Sequence, residues 1–236
     1  MAALDSERGQ SPFPKPDRTN YVARALAAFN LAFDRNLGNL AGCNMTFRAG
    51  PDRVHVTHSG ATKARLGRLA EEDLILADFE GNIIEGKGPL SIEYHCHTTI
   101  LKTFPQVEMV LHTHSPFATL LAARAETIPP LIDSMLGYGD TVLVPDTHKY
   151  STPGFVADIV EIMQSHPAMA TRGGCGVLYP RHGVLIVHRS PELVLDLAER
   201  IEWNAHAVVY DRLLGPSNRP PLPDHADRPD KPPRYY

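Results

Sequence analysis

The sequence predicts an α/β fold in which short strands and helices follow one another in mixed order, and three observations carry that prediction. An apolar run, Val107-Glu-Met-Val-Leu111, ends on His112-Thr-His114 and meets Ser115-Pro116, the pattern of a strand handing over to a helix. Two longer segments, one opening at Tyr21 and one at Pro191, read as helices. Between them lie brief β-compatible runs separated by turn chemistry such as Gly50-Pro51-Asp52.

Taken in order, residues 1–18 are mostly polar and carry Pro12, Pro14 and Pro16, so a flexible N-terminal arm is expected. Thr19 or Asn20 should cap a first helix whose Tyr21, Val22, Ala25, Leu26, Phe29, Ala32 and Phe33 share one face, up to the turn at Asn36-Leu-Gly38. Met45 to Ala49 and Arg53 to Thr57 read as strands, Leu66 to Asp73 has helical spacing, and Leu74 to Phe79 with Ile83 to Glu85 forms a hairpin across Glu80-Gly-Asn82. A helix from Ser91 to about Phe104 precedes the His-Thr-His strand. The helix after that strand, with Ser115 as N-cap, runs to Ala125.

Thr141 to Val144 is a strand and Thr152 to Ser165 a helix opening with Pro153. Val177 to Tyr179 and Val184 to His188 pair around Pro180-Arg-His-Gly183. A long helix capped by Ser190 then reaches about Leu214. One domain is expected over 19–215, and the Pro- and Asp-rich stretch 216–236 reads as a tail that cannot build a core.

With 236 residues, 43% of them hydrophobic and 21% charged, the chain can bury a substantial core. A formal net charge of −4 speaks against a nucleic-acid surface and makes small-molecule chemistry the default. The first residues hold no apolar core of signal-peptide length, and nowhere do about 18 uncharged apolar residues run together, so a soluble, cytoplasmic protein without membrane contact is expected. Cys43, Cys96 and Cys175 form no CxxC pair, which argues against a disulfide framework and a cysteine zinc site. Any metal must be held by nitrogen and oxygen.

His112 and His114 leave one face of an extended strand about 6–7 Å apart, close enough to converge on one ion. A lone His-x-His pair is more often a core or surface pair than a ligand pair, so the neighbours matter. His182, at a turn and followed by Gly183, can supply a third nitrogen. Three neutral histidines leave the full dipositive charge on the metal, which suits Lewis-acid stabilisation of an enolate or alkoxide oxygen. Glu93, near a helix start, could move a proton beside that metal, serve as a fourth ligand, or merely favour the helix dipole. His97, four residues on, is expected to be structural.

These residues, in this order, resemble the class II aldolase family, whose sugar-phosphate aldolases share a fold with the adducin head domain. The resemblance runs from about Tyr21 to Leu214. Its anchors are Ala41-Gly-Cys-Asn-Met-Thr-Phe-Arg48, Val56-Thr-His-Ser-Gly60, Pro89-Leu-Ser-Ile-Glu93, His112-Thr-His114 and Arg181-His-Gly183. It implies a three-layer αβα sandwich with a mixed central sheet and a homotetramer with active sites at subunit interfaces. It also implies one divalent metal ion on His112, His114 and His182, with zinc expected and iron, manganese or cobalt as alternatives, and Glu93 as proton-transfer group. Asn44, Thr46, His58, Ser59, Gly60 and Ser91 are the candidate substrate-binding residues.

The sequence also departs from the family pattern. Cys43 stands in the loop-glycine position and Ile92 in that of the second serine. Losing a donor would leave phosphate oxygens less satisfied by about 1–3 kcal/mol, so a non-phosphorylated carboxylated or aromatic substrate is expected. The family's catalytic tyrosine has no clear counterpart, since Asp133 falls near its position with Tyr138 close by. Arg181 and the terminal Tyr235-Tyr236 have open roles.

The leading expectation is therefore a metal-dependent carbon–carbon lyase, an aldolase or decarboxylase, in which the broken bond leaves a metal-stabilised enolate. The alternatives are a non-haem iron oxygenase on the same scaffold, a sugar-phosphate aldolase or epimerase, and an adducin-like binding module without activity.

Overall fold

The computed structural model describes residues 12–14 and 16–216. Most of the expected arm (1–11 and 15) and of the tail (217–236), with Tyr235 and Tyr236, lies outside the described residues. The last residues of the arm touch the body: Arg18 donates to the Arg48 carbonyl at 2.8 Å and to Glu108.

Among the described residues, eight strands form one mixed sheet. They are β1 (Asn44–Arg48), β2 (Arg53–Thr57), β3 (Leu74–Asp78), β4 (Ile83–Glu85), β5 (Met109–Thr113), β6 (Val142–Leu143), β7 (Cys175–Tyr179) and β8 (Gly183–His188). Their spatial order is β4-β3-β2-β1-β5-β8-β7-β6, antiparallel except for the β6–β7 pair. β5 occupies the centre and is buried on both faces, so its polar His112 and Thr113 are held away from bulk water. The β1–β5 register sets Asn44 opposite His112 and Thr46 opposite Val110.

Helices cover both faces and complete the expected three-layer sandwich. On one side α3 (Tyr94–Thr103) packs on β1 and β5, beside α6 (Pro153–Ser165), which packs on β7. On the other, α8 (Pro191–Leu214) crosses β5, β7 and β8 and carries α1 (Tyr21–Asp34) and α4 (Pro116–Ala123). Phe29, Phe47, Met45, Leu111 and Leu121 are among the fully buried side chains of the core. Shorter helices are α2 (Ala61–Ala64), α5 (Asp133–Leu136) and α7 (Pro167–Thr171).

Three local expectations need correction. The helix expected over Leu66 to Asp73 is absent; Leu66 (φ 52°) and Gly67 (φ 79°) turn left-handed after α2, and only a 3-10 turn, Glu71–Asp73, follows. Asn20 holds the N-cap position of α1 but is itself left-handed (φ 49°), and its side chain caps nothing. Ser115 precedes α4 as expected, yet its hydroxyl bonds the Leu37 carbonyl and Thr113. The orphan N–H groups of α4 go instead to Glu202 of α8, from Phe117 at 2.8 Å and Ala118 at 2.9 Å. That tertiary cap welds α4 to α8 just behind the histidine strand. Among the described residues no helix is long and apolar enough to cross a membrane.

Candidate metal centre

The ends of three elements bring His112, His114 and His182 together. His112 lies within β5, His114 one residue past its end, and His182 in the turn between β7 and β8. Arg181 takes a left-handed conformation (φ 57°) and the His182 N–H bonds the Tyr179 carbonyl at 3.1 Å, so the turn presents its imidazole to the strand. Gly183 makes the approach possible. A Cβ there would strike the Thr113 carbonyl and lie 2.9 Å from the His114 ring and 3.1 Å from the His112 ring.

The imidazole nitrogens then meet. His112 Nε2 lies 2.9 Å from His114 Nε2 and 3.1 Å from His182 Nε2. Partners on the far side of two rings fix which nitrogen carries hydrogen. The Val184 carbonyl only accepts, so His112 Nδ1 donates to it at 3.1 Å and Nε2 keeps a lone pair. Asn39 Oδ1 already accepts the Ala41 N–H at 2.9 Å, and His114 Nδ1 donates to it at 3.0 Å, leaving its Nε2 bare as well. Two lone pairs facing each other repel unless a cation lies between them. Zinc–nitrogen bonds of about 2.0–2.1 Å in a tetrahedron set nitrogens about 3.3 Å apart, near the spacing seen.

Electrostatics favour the ligand form. Burial first, then the neighbouring histidines, push His112 down to about 3 and His114 to about 4, and burial lowers His182 too. All three are therefore neutral at physiological pH, as ligation requires.

Glu93 completes the centre. It holds the N-cap position of α3 without capping it, is only 2% exposed, and points its carboxylate toward the sheet. Oε2 accepts from Asn44 Nδ2 and lies 3.8 Å from His112 Nε2, whereas Oε1 is buried without a hydrogen-bond partner. A buried carboxylate oxygen left unmatched is costly, and such atoms mark functional sites. Glu93 is thus at the helix start, as the dipole reading has it, but buried and with one oxygen turned to Asn44 and His112.

A cavity of about 310 Å³ opens over these groups, lined also by Asn44, His58, Ser59, Gly60 and Ser91. Five of the six expected substrate-binding residues are thus gathered at one place. Thr46 is not. It shares the Asn44 face of β1 but lies two residues deeper, 0% exposed under α3, where it bonds His97 Nδ1 at 2.9 Å. His97 itself is buried and pushed down to about 4 by burial, in keeping with a structural role. Asp133 and Tyr138 do not line the cavity; the Tyr138 hydroxyl meets His188 Nε2 at 3.2 Å. Arg181 turns outward to Asp146 at 3.2 Å.

The fold adds residues that spacing could not reveal. Lys63 of α2 is the one lysine or arginine among the described residues that line the cavity, and Tyr150, just before α6, forms part of its wall. Leu40 and Ile92, the latter 72% exposed, stand apolar at its rim. The Tyr-Ser-Thr-Pro sequence before a helix start was the available signal for Tyr150; Lys63 and the orienting Asn39 had none of comparable strength.

Comparison with known proteins places this geometry. The family profile described as "Class II Aldolase and Adducin N-terminal domain" matches residues 23–209. A 5-methylthioribulose-1-phosphate/5-deoxyribulose-1-phosphate aldolase of Rhodospirillum rubrum is 31% identical over 181 residues, 72% of this chain and 75% of that one. A methylthioribulose-1-phosphate dehydratase of Methylococcus capsulatus is 42% identical over 79 residues, only 34% of this chain and 37% of that one. Among solved structures, an L-fuculose 1-phosphate aldolase superposes with a TM-score of 0.71 at 20% identity, covering 85% of this chain and 90% of that one, a likeness of fold.

Proposed function

The chain belongs to the class II aldolase and adducin N-terminal domain family, and on that premise we propose that it is a metal-dependent lyase acting on a small phosphorylated sugar. The observation that carries the reading is the pair of bare Nε2 atoms facing each other beside the unpartnered Glu93 Oε1. His112, His114 and His182 would hold one divalent ion, most suitably zinc, and that ion when bound supplies Lewis acidity toward a substrate carbonyl oxygen. Iron, manganese and cobalt accept the same imidazole set.

The chain's own residues do the rest. Asn44 fixes one oxygen of Glu93 and leaves Oε1 free to take a proton from, or return it to, the substrate carbon next to the carbonyl. Ser59, Gly60 and the Lys63 ammonium form the part of the cavity suited to an anionic end. The shell of His97, Thr46 and Tyr179 keeps bulk water from the far side of the carboxylate. The names of the related enzymes favour phosphate as that end. Cys43 and Ile92 at the loop positions favour a second reading, a carboxylated, non-phosphorylated substrate.

We also propose a cytoplasmic homotetramer with sites at subunit interfaces. Support for assembly comes from α8, which exposes the large apolar side chains Trp203, Tyr210, Leu213 and Leu214. Light scattering of the purified chain tests it.

The activity test is direct. Zinc-loaded protein is incubated with 5-deoxyribulose 1-phosphate, methylthioribulose 1-phosphate and L-fuculose 1-phosphate, and with their unphosphorylated counterparts, and products are read by NMR. Cleavage or dehydration of a phosphorylated substrate that stops with chelator and returns with metal is expected. Turnover confined to carboxylated compounds supports the second reading; oxygen consumption with iron and no lyase product contradicts both.

A further inference from the structure

One stripe of α8 lines a groove rather than the core. Asp196, Arg200, Trp203, His206 and Tyr210 recur along it every three or four residues, and Ile132 and Ser134 at the start of α5 form the opposite wall of a cavity of about 690 Å³. The fold holds this groove open. Arg200 donates to the Ser134 carbonyl at 3.2 Å, and Asn204 Oδ1 accepts the N–H groups of Leu131 (2.8 Å) and Ile132 (3.1 Å), which fixes the distance between the walls. The His206 ring stacks on Phe117 at 4.2 Å and meets Trp203 at 5.8 Å and Tyr210 at 4.6 Å, centroid to centroid, so three rings stand in a row along the helix. Among the described residues nothing covers that row, and Trp203 is 64% exposed.

A row of rings beside a shallow apolar wall is the surface on which proline-rich chain docks. Such chain is already extended as a left-handed helix without internal hydrogen bonds, so little order is lost on binding. The sequence that leaves α8 contains a segment of this kind, Pro220-Pro221-Leu222-Pro223, beyond the last described residue, Pro216. The distances match. Gly215 ends α8 with φ 73°, a conformation open to glycine that lets the chain double back along the helix. At about 3.1 Å per residue, Pro220 and Pro223 are about 16 and 25 Å of chain from Gly215, while Tyr210 and Arg200 lie about 8 and 22 Å back along α8 at about 1.5 Å per residue. Once about 5 Å is spent in the turn, residues 220–223 come to lie between Tyr210 and Arg200. So short a tether holds the segment over the groove at about millimolar effective concentration, above that of any separate chain at ordinary protein concentrations.

We propose that the α8 groove is the docking site of this chain's own segment Pro220-Pro221-Leu222-Pro223, which straps α8 to α5. The strap leaves Leu213 and Leu214, in the last turn of α8, for contact with a neighbouring copy. It involves no residue of the metal cavity and stands or falls independently of the lyase reading.

Trp203 is the chain's one tryptophan, so its fluorescence reports on this groove alone. The full-length protein is compared with Leu222→Asp, inside the segment, and Pro232→Asp, beyond it, by tryptophan emission, acrylamide quenching and light scattering at matched concentrations. The expected result is a shielded Trp203 in wild type and Pro232→Asp. In Leu222→Asp the emission should move to longer wavelength and quenching rise by about 3-fold, as a docked majority is lost. Mass should be the same in all three, and a peptide of residues 217–226 added at about millimolar concentration should restore the shielding. Equal quenching in wild type and Leu222→Asp overturns the proposal. So does an equal rise in both variants, which places the contact outside residues 220–223. Shielding that disappears on dilution together with a fall in mass, or a mass that changes in Leu222→Asp, makes the occupant a second copy and overturns it as well.

Discussion

Two buried carboxylates, Glu93 and Glu108, sit at opposite ends of the β1–β5 pair, and only one of them is at rest. Asn44 and Arg48 mark those ends, about 13 Å apart along β1. At the far end Glu108, 6% exposed, is paired with Arg18, while Arg48 sends its Nε to the Val107 carbonyl at 2.9 Å and another nitrogen to the Leu101 carbonyl. Burial raises the Glu108 carboxyl, and Arg18 and Arg48 pull it back. At the near end Glu93 is buried as deeply, yet keeps an unmatched oxygen beside imidazole lone pairs that face one another. The first arrangement is finished as it stands and ties the chain together. The second is the arrangement that the proposed ion would complete.

The contrast predicts that damage at the near end abolishes function with modest effects on stability, and damage at the far end does the reverse. The largest effect should come from His114→Ala, which removes one imidazole of the cluster without adding bulk. It should lose metal and turnover together, by metal analysis and assay; a metal-free variant with full activity would break the account. Next, Glu93→Gln should keep its metal and lose about 10³-fold in kcat, within the usual range for a proton-transfer group. A fall in metal content instead would make Glu93 chiefly a ligand.

The effect of pH falls on stability rather than on turnover. The folded protein holds His112 at about 3, and His97 and His114 at about 4, against about 6.5 for unfolded histidine. Between those values the unfolded chain binds more protons, so stability rises with pH. The contribution is fully present above about pH 6.5 and is lost as pH falls through that window toward 4. Urea unfolding of the metal-free protein at several pH values checks this, and a flat profile from 7 to 4 contradicts it. The smallest effect is expected at the far end: Glu108→Gln should cost about 1–3 kcal/mol of stability and leave kcat within about 2-fold. A large loss of activity there would erase the contrast between the two ends.

Much of this site was legible in the sequence because its three histidines sit at short-range signals. His112 and His114 announced themselves by a period of two at the end of an apolar strand, and His182 by the glycine that lets it approach. Of the five expected residues that line the cavity, His58, Ser59, Gly60 and Ser91 lie in loops and Asn44 opens β1. Thr46 misled because alternation tells which face a side chain takes but not how deep under a helix it lies. Lys63 and Tyr150 reach the cavity, and Asn39 reaches His114, only through long-range packing, which no local period records. The same holds for structure: α1, α6 and α8 follow their periodicity, whereas α5 and α7 are too short to show one, and the cap of α4 comes from Glu202, some 85 residues away.

The central claim is that three imidazoles await one divalent ion, and metal stoichiometry tests it most directly. Protein purified without chelator, alongside His182→Ala, is analysed for bound metal and titrated with zinc by calorimetry. The account predicts about one ion per wild-type chain and an affinity weakened by at least about 10²-fold in the variant. Wild type that binds no divalent metal, or His182→Ala that binds it equally well, would contradict it.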